Sequence, residues 1–323
     1  MRHLRLVKDD TSFDFFKHWK LWLGISGVML MLAMVSFGVR GLNYGIDFMG
    51  GTTIRTESAQ PVDVGAYRQA IDALGIGDST ISEVFDPSFG PEQNVAMVRI
   101  QAQDDEEAVT PETIAAVEAA LQGVAPDIRF VSVESVGPKV SGELIQTAFL
   151  AVALAIGAVL VYIWLRFEWQ FAVGAVLALV HDVLLTIGVF SEVGIRFDLS
   201  IIAALLTIVG YSLNDTIVVY DRIRETIRTS RIDDMPQIFN EAINATLSRT
   251  LATSGTTVLV LLALLLLGGD MIENFAIALL VGIVVGTFSS IYISGALLIP
   301  LKLSREDLIP TKKEVDEEEE ELP

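Results

Sequence analysis

Asn214 and Asp215 interrupt an apolar stretch, Leu199 to Tyr220, that is long enough to cross a bilayer. A span needs about 20 residues at about 1.5 Å each. A carboxylate within one costs about 2.5–3.5 kcal/mol on the insertion scale, so such residues line ion or proton paths or pair with a buried cation. A helix-to-helix hydrogen bond is the plainer alternative. Arg249 stands about one turn inside a later apolar stretch, and Thr253, Thr256 and Thr257 continue its helical face. Asp215 and Arg249 then lie at a similar depth, about 6–8 Å inside the boundary. At one level an Asp and an Arg are natural partners, since each alone is costly. Snorkelling of Arg249 to the headgroups is the competing reading. His181 and Asp182 sit mid-way along a third apolar stretch, with Thr186 one turn on. Adjacent helical positions point about 100° apart, which argues against a pair on one face. They are either a second protonatable site on the same path or a packing network with neutral His181.

The elements that position these groups are membrane spans. The hydrophobic fraction is 52 % and the mean hydropathy +0.53, with apolar runs that a soluble domain could not bury. Six spans are expected, at 21–39, 145–165, 171–190, 199–220, 245–267 and 275–298. Ahead of the first, residues 1–20 carry five Lys/Arg and the cluster FDFFKHWKLW, which suits a helix at headgroup level. A cleaved signal peptide also reads basic then apolar, but VSFGVRGLN lacks a convincing cleavage site, so a retained anchor is expected. Basic residues concentrate in this tail, in a loop at 221–244 (four) and in the C-terminal segment (four), whereas the short outer loops hold only Arg196. The positive-inside rule then places both termini in the cytoplasm and residues 40–142 outside, in the periplasm.

Those outer residues read as β-α-β-β-α-β, a ferredoxin-like α+β domain inserted between the first and second spans. Thr110 with Pro111 marks one helix start. The net charge of −19 is concentrated here, 16 acidic against 6 basic residues between Val39 and Gly142, and in the acidic tail at 304–323, 9 against 3. Such surfaces suit no nucleic acid; the tail reads as a solvated charge run. Gly282, Gly286, Ser290 and Ser294, four apart, form a packing stripe on the last span. Enzyme chemistry finds no support: cysteine is absent, two of the three histidines lie in the N-tail, and no metalloprotease, nucleophile-elbow or phosphate-loop motif occurs, so neither metal nor organic cofactor is expected.

GIDFMGG (Gly45–Gly51), ESVGPKVSGEL (Glu134–Leu144) and LVHDV (Leu179–Val183) are followed by GYSLNDTIVVYDRIRE (Gly210–Glu225), LSRTLATSGTT (Leu247–Thr257) and LGG (Leu267–Gly269). In these motifs, and in order and spacing from about Phe13 to Arg305, the sequence resembles the SecF family of the resistance-nodulation-division superfamily. The resemblance implies a SecD partner, work beside the Sec channel of the bacterial inner membrane, and proton-driven export of a translocating polypeptide. It places the family's proton-relay aspartate on Asp215 and its arginine partner on Arg249, with Asn214, His181 and Asp182 as secondary polar positions. A small-molecule exporter half and a passive scaffold are the alternatives.

Overall fold

The computed structural model describes residues 12–76, 79–84, 90, 93–101, 110–230, 232, 234–268 and 270–308. The first eleven residues, most of the PSFGPEQ turn and residues 309–323 of the acidic tail lie outside them. Among the described residues six helices are long and apolar enough to cross a membrane. They are α1 (Trp19–Arg40), α5 (Pro138–Arg166), α6 (Trp169–Val193), α7 (Leu199–Thr229), α8 (Met235–Leu267) and a last one in three parts. The last comprises α9 (Asp270–Phe288), a π-helical turn (Ser289–Ile293) and α10 (Ser294–Leu298).

Two expectations change. Most of the basic loop at 221–244 is helical, because α7 and α8 continue past the spans. Tyr220, Ile223 and Ile227 on α7, with Ile238, Phe239 and Ala242 on α8, recur at helical spacing and are buried together, so the helices persist until apolar periodicity ends. The aromatic N-tail does not lie as a helix at headgroup level. Residues 12–18 form a strap whose Phe15 and Phe16 are buried in the bundle. Asn240 explains this: its Oδ1 accepts the Phe15 and Phe16 amides at 2.8 and 3.2 Å, satisfying backbone that a helix would otherwise satisfy.

Between α1 and α5 the chain forms β1 (Asn43–Tyr44), the one-turn α2 (Ile46–Met49), β2 (Gly51–Ser58), α3 (Val64–Asp72), β3 (Ser79–Val84), β4 (Asn94–Gln101), α4 (Pro111–Gln122) and β5 (Arg129–Val136). Strands β2 to β5 make one antiparallel sheet in the order β3-β4-β2-β5. Ile54, Ile81, Val98 and Ile100 on its strands meet Tyr67 and Ile71 of α3 and Val117 and Leu121 of α4 in one core. Asp63 and Thr110 cap the two helices by accepting the Ala66 and Thr113 amides. β1 instead pairs in parallel with β6 (Arg196–Phe197), which precedes α7. There Asp47 of the GIDF motif accepts the Leu199 amide at 3.0 Å, satisfying an open N–H at the start of α7.

The membrane helices pack as two parallel pairs, each at a constant residue offset. Ser26 meets His181 and Ser36 meets Ser191, 155 residues apart on α1 and α6. Thr216 meets Ser290 and Tyr220 meets Ser294, 74 residues apart on α7 and the last helix. The small-residue stripe packs as expected, since a Cβ on Gly282 would stand 2.2 Å from Ile208. Gly282→Val is therefore expected to lower stability by about 1–3 kcal/mol through overpacking. Gly210→Ala, with nothing within 4 Å, should leave the chain's own stability within about 0.5 kcal/mol of wild type or better. Thermal unfolding of the purified chain in one detergent compares the two.

In the outer sheet the Ala59 amide, 2.6 Å from Asp127 Oδ2, and the Ser58 hydroxyl hold the Asp127 carboxyl below the usual carboxylate range. A lowered folded-state value stabilises above the ordinary carboxylate pKa and loses that contribution as pH falls through the folded one. Amide exchange at Ala59 should thus accelerate on acidification below about pH 4 beyond the intrinsic exchange rate. In Asp127→Asn that acid-dependent excess should vanish.

Candidate functional site in the membrane helices

Asp182 is fully buried and His181 nearly so, at 0 and 3 % exposure. His181 Nδ1 stands 2.9 Å from Asp182 Oδ1. The 100° between neighbouring positions therefore does not keep them apart: both side chains lie inside the bundle and close laterally between α1, α7 and α9. Ser212 of α7 and Ser289 of the π-helical turn each donate to Asp182 Oδ2 at 2.7 Å. Thr186 donates to the Asp182 backbone carbonyl, not to its carboxylate. With Nδ1–H given to the carboxylate, His181 Nε2 takes the hydroxyl of Ser26 on α1 at 2.9 Å. This Ser-His-Asp order matches that of hydrolases, but Ser26 is buried against α6, where no scissile carbonyl can reach it.

Asp215 forms a second cluster. It is 4 % exposed, and Ser254 Oγ of α8 stands 3.5 Å from its Oδ2. Ser254 Oγ lies 2.8 Å from Thr287 Oγ1 of α9. Asp215 and Arg249 do not make the expected direct ion pair in this structure, although Arg249 stands near enough for its charge to act on the carboxyl. Arg249 occupies the outer face of α8, where it is exposed, whereas Thr246, Thr250 and Ser254 face inward. Depth was legible from residue count, but rotation was not: Arg249 and Ser254, five residues apart, are about 140° apart around the helix. Asn214, adjoining Asp215, is exposed as well.

The hydroxyls of Ser26, Ser212, Ser254, Thr287 and Ser289 escaped sequence reasoning, because isolated Ser and Thr in apolar helices are common. Their one signal is position relative to a neighbouring helix, and the offsets of 155 and 74 emerge only from packing. Neither carboxylate opens into the apolar cavity of about 550 Å³ between α1, α5 and α6, which is lined by residues such as Phe37, Phe149 and Ile187. The site is thus two separate clusters of protonatable and hydroxyl groups inside the bundle, neither of them opening on a cavity that could enclose an organic ligand.

Residues 116–304 match the family described as protein export membrane protein SecD/SecF, C-terminal, and residues 35–62 match the SecD/SecF GG motif. The protein translocase subunit SecF of Cereibacter sphaeroides is 52 % identical over 94 % of this chain and 93 % of its own length. The chain belongs to the SecD/SecF protein-export family. SecF of Escherichia coli O157:H7 is 39 % identical over 97 % of this chain and 94 % of its own. The crystal structure of SecDF, a translocon-associated membrane protein from Thermus thermophilus, superposes with a TM-score of 0.80 at 36 % identity over 92 % of this chain. The chain spans 40 % of the length of that SecDF. This SecF relative is a multi-pass membrane protein whose polar clusters lie on the helices matched to the family.

Replacing Asp182 by Leu strands two donors in hydrocarbon, the His181 N–H and the Ser212 hydroxyl, each worth about 1–3 kcal/mol when buried unsatisfied, while Ser289 can turn to the Gly286 carbonyl. Asp215→Leu strands chiefly Ser254. Asp182→Leu is therefore expected to lower the unfolding midpoint of the purified protein more than Asp215→Leu does, a ranking read in one thermal-shift series.

Proposed function

We propose that this chain is the SecF half of a SecD–SecF translocase in the bacterial inner membrane. It would use the proton-motive force to draw a translocating polypeptide outward from the Sec channel. One observation carries the reading: a stripe of small and polar residues faces out of the bundle beside the buried Asp215. Ala203, Thr207, Gly210 and Asn214 on α7 are exposed at spacings of four, three and four, and Arg249, Ala252 and Thr256 continue the face on α8. Asn and Arg facing lipid are expensive, and small residues favour close helix contact, so this face fits a second membrane bundle. SecD supplies it in this reading, and the Thermus relative, a SecDF that is longer than this chain, supports the pairing.

In the mechanism we infer, the protonated Asp215 rests among the Ser254 and Thr287 hydroxyls and the deprotonated carboxylate draws Arg249 towards it. Each exchange shifts α8 against α7. One charge crossing 100 mV supplies about 2.3 kcal/mol, enough to bias two packings of similar energy. The sheet between α1 and α5, with its helices on one face and its order β3-β4-β2-β5, fits a ferredoxin-like periplasmic domain that would move with these helices. Both termini are then cytoplasmic and the coupling ion is H⁺.

Export of a secretory protein into sealed inner-membrane vesicles, at equal levels of the SecD-containing complex, tests the reading. Asp215→Asn should lose the gradient-dependent part of late translocation and keep the rest. Wild-type behaviour of that variant would leave a passive scaffold. Gly210→Leu should weaken copurification with SecD at least tenfold if the stripe is the contact, and unchanged copurification would remove the stripe from the interface.

A further inference from the structure

Asp182 and Asp215 stand on neighbouring helices and share no hydrogen bond, yet hydroxyls from one short segment of the last helix serve both. Thr287 reaches the Asp215 cluster through Ser254, and Ser289, two residues on, reaches Asp182. Two residues are about 200° around a helix, so the pair presents one hydroxyl to each side. Ser289 also opens the π-helical turn, a departure from α geometry that is frequent at functional sites. Each of these hydroxyls has one hydrogen and two acceptors within reach. Ser289 Oγ lies 2.7 Å from Asp182 Oδ2 and 3.1 Å from the Gly286 carbonyl. Thr287 Oγ1 lies 2.8 Å from Ser254 Oγ and 2.7 Å from the Ile283 carbonyl. A negative Asp182 takes the Ser289 hydrogen, since hydrogen bonds to an ionised acceptor are about twice as strong. Without that charge the hydrogen returns to the helix carbonyl, and the pull on the π turn ends. Gly286 lets Ser212 pack close beside this group, because a Cβ there would sit only 3.2 Å from Ser212 Cβ, while it would be in ordinary contact with Asp182 Oδ2 at 3.5 Å.

We propose that the His181–Asp182 pair is a positioning site for Asp215, acting through Ser289 and the π-helical turn, which sets Thr287 against Ser254. The proposal rests on the reading of Asp215 as the relay. The groups that face the pair are Ser26 from α1, Ser212 from α7 with Asp215 one turn beyond it, and Ser289 from the last helix. Asp215 itself is faced by Ser254 and by the charge of Arg249 from α8, so among the described residues His181, Asp215 and Arg249 are the other charged or titratable groups that act on the two clusters. Asp182 touches no translocated species. It determines how readily Asp215 exchanges its proton, not whether a path exists.

The test uses the complete complex with SecD in sealed vesicles and the pH profile of gradient-dependent translocation. Asp182→Asn and Ser289→Ala should each move its midpoint by at least about half a pH unit, a threefold change in apparent proton affinity. Ser289→Thr, which retains the hydroxyl, should restore the wild-type midpoint. A merely structural role lowers the rate at every pH and leaves the midpoint in place, and that result overturns the proposal. Where a variant transports too little to read, the infrared carboxyl band lost in Asp215→Asn is titrated instead: a moved midpoint supports the proposal and an unmoved one overturns it. Asp215→Asn run alongside separates the two levels. If it transports like wild type, the relay reading fails and this proposal with it. If it loses gradient dependence while the Ser289→Ala midpoint stays put, the positioning proposal alone falls.

Discussion

A single carboxylate, that of Asp182, ties four membrane helices together. Its own helix, α6, supplies the imidazole at one oxygen, α7 and the π-helical turn supply hydroxyls to the other, and the far imidazole nitrogen meets Ser26 of α1. In hydrocarbon no water takes the place of a missing donor, so moving any of these helices away leaves a buried polar group unpaired. Apolar side chains impose no such condition, because lipid solvates them as well as a neighbouring helix does. The arrangement of the bundle centre is therefore set by polar groups, although they are few.

The constant offsets follow from the same requirement. Hydroxyl contacts work only at short range, and helices approach closely only where small residues face each other. Gly188 lies against Ala33, so close that a Cβ on it would stand 2.3 Å from that alanine's Cβ, and Gly282 lies against Ile208. These glycines bring the backbones near enough for Ser26 to meet His181 and for Thr216 to meet Ser290. The glycine stripe and the polar clusters are thus parts of one packing solution. Towards the C-terminal end of α7 another polar device holds it to the turn between α5 and α6, where Arg224 is 3.1 Å from Glu168 and donates to the Arg166 carbonyl.

Much of this is legible in the linear sequence. Six apolar runs, the cap at Thr110 and the alternation of strands and helices in the outer segment are local properties, and local physics determines them. Asp215 and Asp182 are conspicuous because a carboxylate in an apolar run is costly wherever the helix turns. What one helix presents to another is not legible. Rotation about the axis keeps Arg249 out of direct contact with Asp215, though its charge still reaches the carboxyl, and lateral closure joins His181 to Asp182, and both depend on neighbours that a linear pattern does not specify. The buried faces of Ile223 and Ile238 read as loop because the arginines beside them mask their helical spacing.

The staple at the outer end of α7 has a mechanical consequence. Asp47 caps that end and β1 pairs with β6, and the first sheet strand, β2, begins at Gly51, four residues beyond Asp47. The root of the outer sheet is thereby joined to the top of a stiff rod of 31 residues. Asp215 lies sixteen residues down that rod, about 24 Å at 1.5 Å per residue. A tilt of about 5° pivoting there swings the top through about 2 Å, by the geometry of a lever of that length. A tilt of that size would carry the root of the sheet by more than a bond length, with no hinge required inside the helix.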